Sequence, residues 1–100
     1  MKTYLFKIKE GKLETWKAWC NLLMTTHKEE AIETLKEEGL TYESSLIFSI
    51  DGKYYTLAMI EGEEKPTNME RELNQKHRAM KKECLERIET PEIGYELCNR

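Results

Sequence analysis

The sequence predicts an α+β fold, in which an antiparallel four-stranded sheet carries two helices on one face. Three observations predict it: two strand-like runs flank Asp51-Gly52, two stretches carry apolar residues at helical spacing, and shorter alternating runs lie near both ends. The chain has 100 residues, of which 39% are hydrophobic and 35% charged. This is enough to bury one core without metal or disulfide support. We therefore expect one domain spanning residues 1–100.

Residues 42–62 predict a β-hairpin, because Asp-Gly between two apolar runs favours a two-residue turn. Such a turn fixes the register, so that Phe48 faces Tyr55 and Leu46 faces Leu57 on one side of the ribbon. The other side carries smaller or hydroxylated residues: Ser45, Ile47, Ser49, Tyr54, Thr56 and Ala58. We expect helices to cover the bulky side, which leaves the second side uncovered.

The first strand is predicted over residues 3–9, where Tyr4, Phe6 and Ile8 alternate with a second set that includes Lys7. These three residues should point at the helices. After this strand, apolar residues recur every three or four positions and predict a helix. The helix runs over residues 13–38 and ends at Gly39, with a kink or break at Thr25-Thr26.

A second helix is predicted from Thr67 to about Thr90, since Thr67 and Glu70 have capping-box spacing and Pro91 follows. Its apolar face comprises Met69, Leu73, His77, Met80, Cys84 and Ile88. Residues 93–98 alternate again and predict a short fourth strand. The resulting order, β-α-β-β-α-β, is typical of the ferredoxin-like split βαβ arrangement, in which right-handed crossovers place both helices on one face.

The uncovered side of the predicted sheet is the basis for expecting self-association. It would contain Leu5, Ile47, Ala58 and Ile60, which is more apolar surface than scattered exposed residues explain. A second copy is the commonest cover for such a surface, so we expect a homodimer. An arginine placed at Ala58 should then separate the subunits.

Composition limits the partners and the compartment. A net charge of −3 gives no electrostatic reason to bind nucleic acid or an anionic membrane surface, and no window is long and apolar enough to span a membrane. Cys20, Cys84 and Cys98 are odd in number and lack C-x-x-C spacing, which predicts free thiols in a cytoplasmic protein. We predict no metal site and no cofactor.

The length and element order, with His27 in the first predicted helix ahead of Gly39, resemble the dimeric α+β-barrel group of small bacterial proteins. In that group two ferredoxin-like sheets close face to face around a cleft. The chain is most similar to an uncharacterised bacterial family and more remotely to the sugar mutarotases, a resemblance that implies a catalytic role for His27. The group also includes haem-degrading and cofactor-free monooxygenases, so shared architecture does not select one activity.

Candidate site residues follow from these placements. His27 is the candidate catalytic residue, because a half-buried imidazole is the usual general acid or base near pH 7. Its alternative role is a core-edge histidine bonded to a backbone carbonyl. The candidate ligand-binding residues are Lys7, Trp16, Tyr54, Thr56 and Glu96. Alternatively, Lys7 pairs with Glu96, and Trp16 packs in the core.

Taken together, the sequence favours a homodimer that holds a small organic molecule in a cleft between sheet and helices. An enzymatic alternative is a cofactor-free isomerase or monooxygenase that uses His27 as a proton carrier. A third hypothesis is an interaction module whose cleft is filled by its own side chains.

Overall fold

Four strands and three helices make up the fold in the computed structural model, which describes residues 1–99. In chain order they are β1 (Lys2–Ile8), α1 (Leu13–Met24), α2 (Lys28–Glu37), β2 (Leu40–Ile50), β3 (Lys53–Gly62), α3 (Glu72–Cys84) and β4 (Leu85–Glu89). The strands form one antiparallel sheet in the order β2-β3-β1-β4. The α+β class and the four-stranded antiparallel sheet are thus confirmed. Within residues 1–99, no helix has the length and apolarity needed to cross a membrane.

The hairpin forms in the predicted register. Phe48 pairs with Tyr55 and Leu46 with Leu57, and the aromatic rings of Phe48 and Tyr55 stack with centroids 5.7 Å apart. Asp51 and Gly52 both have positive φ, 51° and 76°, as a type I′ turn requires. The turn residues therefore set which side chains share a face of the sheet.

The first predicted helix is divided at the position that the sequence indicated. α1 ends at Met24 and α2 begins at Lys28, and the Thr25 hydroxyl donates to the carbonyl of Asn21 at 2.7 Å. A threonine that bonds its own preceding turn competes with the helical backbone pattern, which favours an end to the helix there. Gly39, at φ 73°, then terminates α2 in the left-handed region that glycine adopts most easily.

The predicted C-terminal half was wrong in two respects. α3 begins at Glu72, since Thr67 donates to the Glu38 carboxylate at 2.9 Å instead of capping a helix. The fourth strand is Leu85–Glu89, while residues 93–98 form no strand. Leu85 pairs with Ile8, and the Lys9 amide donates to the Cys84 carbonyl at 2.7 Å. Pairing with β1 overrides the helical preference of the glutamate and arginine residues there.

The prediction of which hairpin face the helices cover was also wrong. Thr56 and Ile60 are 1% and 7% exposed, whereas Leu46 and Phe48 are 49% and 38% exposed. We call the helix-packed side the covered face; it carries Ser45, Ile47, Thr56, Ala58 and Ile60, together with Tyr4, Phe6 and Ile8 as predicted. The opposite side is the open face, formed by Leu5, Leu46, Phe48, Tyr55, Leu57 and Met59.

Two tryptophans of α1 explain the inversion. Trp16 and Trp19 are 3% and 6% exposed and fill the space between α1 and the sheet, so the strands beneath them carry small side chains. The Trp16 indole donates to the Ser45 hydroxyl at 3.3 Å, and Ser45 in turn bonds Thr56. Thr56 is buried and its hydroxyl has a partner, whereas Ser45 at the other end of this bond is an exposed residue. The buried core comprises Ile8, Trp16, Trp19, Leu73, Cys84 and Leu85.

Candidate functional site

A cleft of about 240 Å³ lies between the covered face and the helices α2 and α3. Phe6, Ala58 and Ile60 line it from the sheet. Thr34 of α2 and Glu38, directly after that helix, line the opposite side, and the connection 64–69 closes one end. The prediction of a space between sheet and helices therefore has a structural counterpart.

One wall of this cleft is formed by polar residues of α3. Asn74, His77, Arg78 and Lys81 all line it, and their spacing of three, four and seven positions places them on one side of α3. We call these four residues the cleft stripe. Leu73, Met80 and Cys84 occupy the adjacent side of the helix and pack in the core. The apolar face predicted for this helix is confirmed at these three residues, whereas Met69 precedes α3 and Ile88 lies in β4. His77 lies where this face meets the cleft stripe.

His77 is held by a specific hydrogen bond from α1. The Trp19 indole Nε1 donates to Nδ1 of His77 at 2.9 Å, and the two rings stack with centroids 6.1 Å apart. Because an indole can only donate, Nδ1 must be unprotonated, and the neutral ring carries its proton on Nε2. Burial, assisted by the charge of Lys81, lowers the pKa of His77 to about 4. The imidazole is therefore neutral near pH 7, with an N–H to donate.

The donor on His77 and an acceptor on Asn74 are both unused by the protein. Asn74 is 8% exposed; its Nδ2 donates to the Asn68 carbonyl at 2.9 Å, which identifies Oδ1 as its free atom. Neither Oδ1 of Asn74 nor Nε2 of His77 has a hydrogen-bond partner in the part of the chain described, 1–99. Over the same residues, Oγ of Ser44 is the fully buried side-chain atom that lacks a partner. Oδ1 of Asn74 and Nε2 of His77 also lack partners there but are not fully buried, so a ligand or water can reach them.

The charged residues around the cleft differ in how far they are already paired. Glu38 accepts from Thr67, and Glu64 pairs with Lys2 at 3.2 Å. Glu43 is the remaining acid; desolvation, then the neighbouring charges of Glu38 and Glu64, raises its pKa, and Lys81 opposes this. Within residues 1–99, the cations that line the cleft have no carboxylate within 4.0 Å; they are Lys65, Arg78 and Lys81.

The five predicted ligand-binding residues are not brought together. Trp16 and Thr56 lie in the buried network described above, and Lys7 lies on the open face opposite Tyr55 and Glu86. Tyr54 is 41% exposed beside the hairpin turn, and Glu96 is exposed beyond the last strand. None of the five lines the cleft. Lys7 and Glu96 do not lie on neighbouring strands, because Glu96 is outside the sheet.

His27 lies at a different place from the cleft. It precedes the first residue of α2, its ring centroid is 6.0 Å from that of Trp19, and it lines a separate cavity of about 150 Å³ with Glu30, Glu72 and Lys76. Trp19 therefore contacts both histidines, but His77 is the one that reaches the cleft. The catalytic role predicted for His27 stays a prediction.

The comparison with family models matches residues 1–98 to DUF6176, a family of unknown function. The chain belongs to this family. Comparisons with curated proteins and with solved structures found no match. They therefore give no support for the resemblance to sugar mutarotases or to the dimeric α+β-barrel group. Membership of DUF6176 assigns no chemistry, so a functional argument has to start from the cleft.

One signal in the sequence could have found the cleft stripe. The predicted apolar face of α3 already contained His77, and Asn74, Arg78 and Lys81 stand at helical spacing beside it. What the sequence does not show is the Trp19 hydrogen bond, which joins residues 58 positions apart. That contact fixes the orientation and the tautomer of His77.

Proposed function

We propose that the protein binds a small polar organic molecule in the cleft between the sheet and helices α2 and α3. One observation carries the proposal: a fixed N–H donor on His77 and a free acceptor on Asn74 line one wall of a cavity and are used by no other group. Small-molecule sites commonly combine apolar walls with a few polar atoms that fix orientation. Phe6, Ala58 and Ile60 supply the apolar part here.

Thermal unfolding with a panel of metabolites tests this proposal. A ligand present at a hundred times its Kd should add about 2.7 kcal/mol to the free energy of unfolding. In His77→Asn, the amide can still accept from Trp19 but the Nε2 donor is lost, so the shift should shrink. His27→Asn is the matched control and should respond like the wild type.

The same experiment decides between the proposal and the two alternatives. If His27→Asn loses the shift and His77→Asn keeps it, the site lies at His27, as the isomerase or monooxygenase hypothesis requires. If no metabolite shifts the wild type, the cleft is not a ligand site, and the interaction-module hypothesis takes its place.

We further propose that the protein is a homodimer with a ferredoxin-like fold, joined through the open face. In the order β2-β3-β1-β4, each crossover links two strands that are separated by one other strand, as a split βαβ arrangement requires. The open face is apolar at its centre, where Leu46 and Phe48 are exposed and Leu57 and Met59 are half-buried.

The rim of the open face favours a second copy as its cover. Its charged residues nearly balance, with two lysines against three glutamates around the apolar centre: Lys7, Lys53, Glu61, Glu86 and Glu89. An apolar centre with a charged rim is typical of subunit interfaces, and a flat sheet packs well against another sheet about 10 Å away. Ala58 is on the covered face, so Ala58→Arg would disturb the cleft instead of separating the subunits.

Sedimentation velocity tests the dimer. Wild type should sediment as a dimer and Leu57→Asp as a folded monomer, because the substitution places a charge at the centre of the interface. Leu22→Asp, on an exposed position of α1, is the control and should stay dimeric. A monomeric wild type would overturn the proposal, and if removal of residues 91–100 then produced a dimer, the C-terminal segment would be the cover.

The proposal includes a cytoplasmic location, supported by the three free cysteines, Cys20, Cys84 and Cys98. Thiol titration of protein purified from cells with air excluded should find three reactive groups after denaturation. A native disulfide would contradict this location.

A further inference from the structure

We infer that the ligand of the cleft is a small organic acid, whose carboxylate is held by Arg78 and Lys81 and whose uncharged polar group meets His77 and Asn74. This inference rests on the proposed function and adds the chemical class of the ligand. The residues that carry it are the four members of the cleft stripe.

The lining of the cleft carries one more positive than negative charge. Glu64 is neutralised by Lys2, whereas Glu38 accepts only from the uncharged Thr67 hydroxyl and keeps its charge. Glu38 and Glu43 thus face three cations that have no carboxylate within 4.0 Å among residues 1–99: Lys65, Arg78 and Lys81. Arg78 and Lys81 have no carboxylate within ion-pair distance over residues 1–99, although they lie one turn apart on the same side of α3. An anion that reached this end of the stripe would supply the missing partner, and a guanidinium binds a carboxylate through two parallel hydrogen bonds.

The four residues of the cleft stripe differ in how deeply they are buried. Arg78 and Lys81 are exposed at its outer end, whereas Asn74 is buried and His77 is half-buried. A ligand with its charged end outward would keep the carboxylate partly hydrated and place an uncharged group against Asn74 Oδ1 and His77 Nε2. The neutral imidazole suits this inner position, since it donates a hydrogen bond without requiring a buried negative charge.

The cleft disfavours ligands of higher charge. Glu38 and Glu43 line it without a cation within 4.0 Å among residues 1–99, and they would repel a second negative charge. The apolar residues Phe6, Ile60 and Met69 also require a hydrocarbon part to cover them. A monovalent organic acid meets both conditions better than inorganic phosphate does.

A titration followed by ¹⁵N NMR tests the inference with benzoate and its neutral analogue benzamide as probes. Benzoate should shift the amide signals of residues 74–81 saturably, and at least tenfold more tightly than benzamide at the same ionic strength. Arg78→Gln should weaken benzoate binding about tenfold and leave benzamide unchanged. Lys82→Gln removes an equal charge from α3 at a position outside the cleft and should have no such effect.

The possible failures are distinguishable. If benzamide binds the same residues as tightly as benzoate, the organic-acid inference falls and the proposed ligand cleft stands. If phosphate binds there and benzoate does not, the inference is also wrong, because the anion is then inorganic. If Lys82→Gln weakens benzoate as much as Arg78→Gln does, the attraction is a general effect of charge and the stripe is not a site.

Discussion

The helices cover the face of the sheet that has the smaller side chains and leave the face with the bulkier apolar side chains open. The covered face carries Ser45, Thr56 and Ala58 beneath two tryptophans, while the open face carries the bulkier Leu46, Phe48 and Leu57. Size and hydrophobicity along a strand therefore did not reveal which side the helices pack on. What decides it is volume matching: a helix that brings two indole rings needs small residues opposite, because protein interiors have the packing density of crystals.

The same substitution at two adjacent positions, one on each face, gives the strongest test of this difference. Ile60, which is 7% exposed, points at the helices, and its neighbour Met59 lies on the open face. Ile60→Asp should reduce the free energy of unfolding by about 4 kcal/mol or more, since it buries an unpaired charge. Met59→Asp should cost about 1 kcal/mol or less.

Urea unfolding in a Leu57→Asp background would compare these variants as monomers. The background matters because dimer formation would otherwise bury Met59 as well. Equal losses of stability from the two aspartates would show that the open face packs against this chain's own residues, and the assignment of the two faces would be wrong.

The second prediction concerns acid sensitivity, which the covered side alone should show. Burial of His77 depresses its pKa to about 4 in the folded state, against about 6.5 in the unfolded chain. Between these values the unfolded chain binds more protons than the folded one, so stability is retained above pH 6.5 and lost as the pH falls toward 4. The loss is at most about 1.4 kcal/mol for each pH unit.

The difference in stability between wild type and His77→Asn, measured against pH, isolates the contribution of His77. Thermal unfolding at several pH values should show the two curves converging as the pH falls, while the contribution of Glu43, whose pKa is raised, is common to both proteins. A His77→Asn protein with an unchanged slope would mean that His77 titrates normally in the folded state.

Local chemistry explains which parts of the fold could be predicted from the sequence. The turn at Asp51-Gly52, the break after Thr25 and the stop at Gly39 each depend on the backbone preferences of one or two residues. The fourth strand could not be found in this way, because Leu85–Glu89 continues the helical pattern of α3 and becomes a strand only by pairing with β1.

The candidate site shows the same limit. Every residue of the cleft stripe could be placed on one helix from its spacing, but its chemistry depends on contacts between distant segments. Trp19 fixes the tautomer of His77 from another helix, and Lys2, from the first strand, neutralises Glu64 at the edge of the cleft. Four of the five residues chosen as ligand-binding were selected by the sheet face they were predicted to share: Lys7, Tyr54, Thr56 and Glu96. The hairpin inversion removed Thr56 and Tyr54 from that set.

The smallest predicted effect comes from removing one threonine hydroxyl group on each face. Thr56→Val removes the partner of Ser45 in the hydrogen-bonded network with Trp16 and should cost about 1 kcal/mol, measured by urea unfolding. Thr3→Val makes the same change opposite Met59 on the open face, where the hydroxyl has no side-chain hydrogen bond within residues 1–99, and should be neutral within about 0.5 kcal/mol. If both variants were neutral, the Ser45–Thr56 pair would add no net stability, and volume alone would explain why small residues lie beneath the tryptophans.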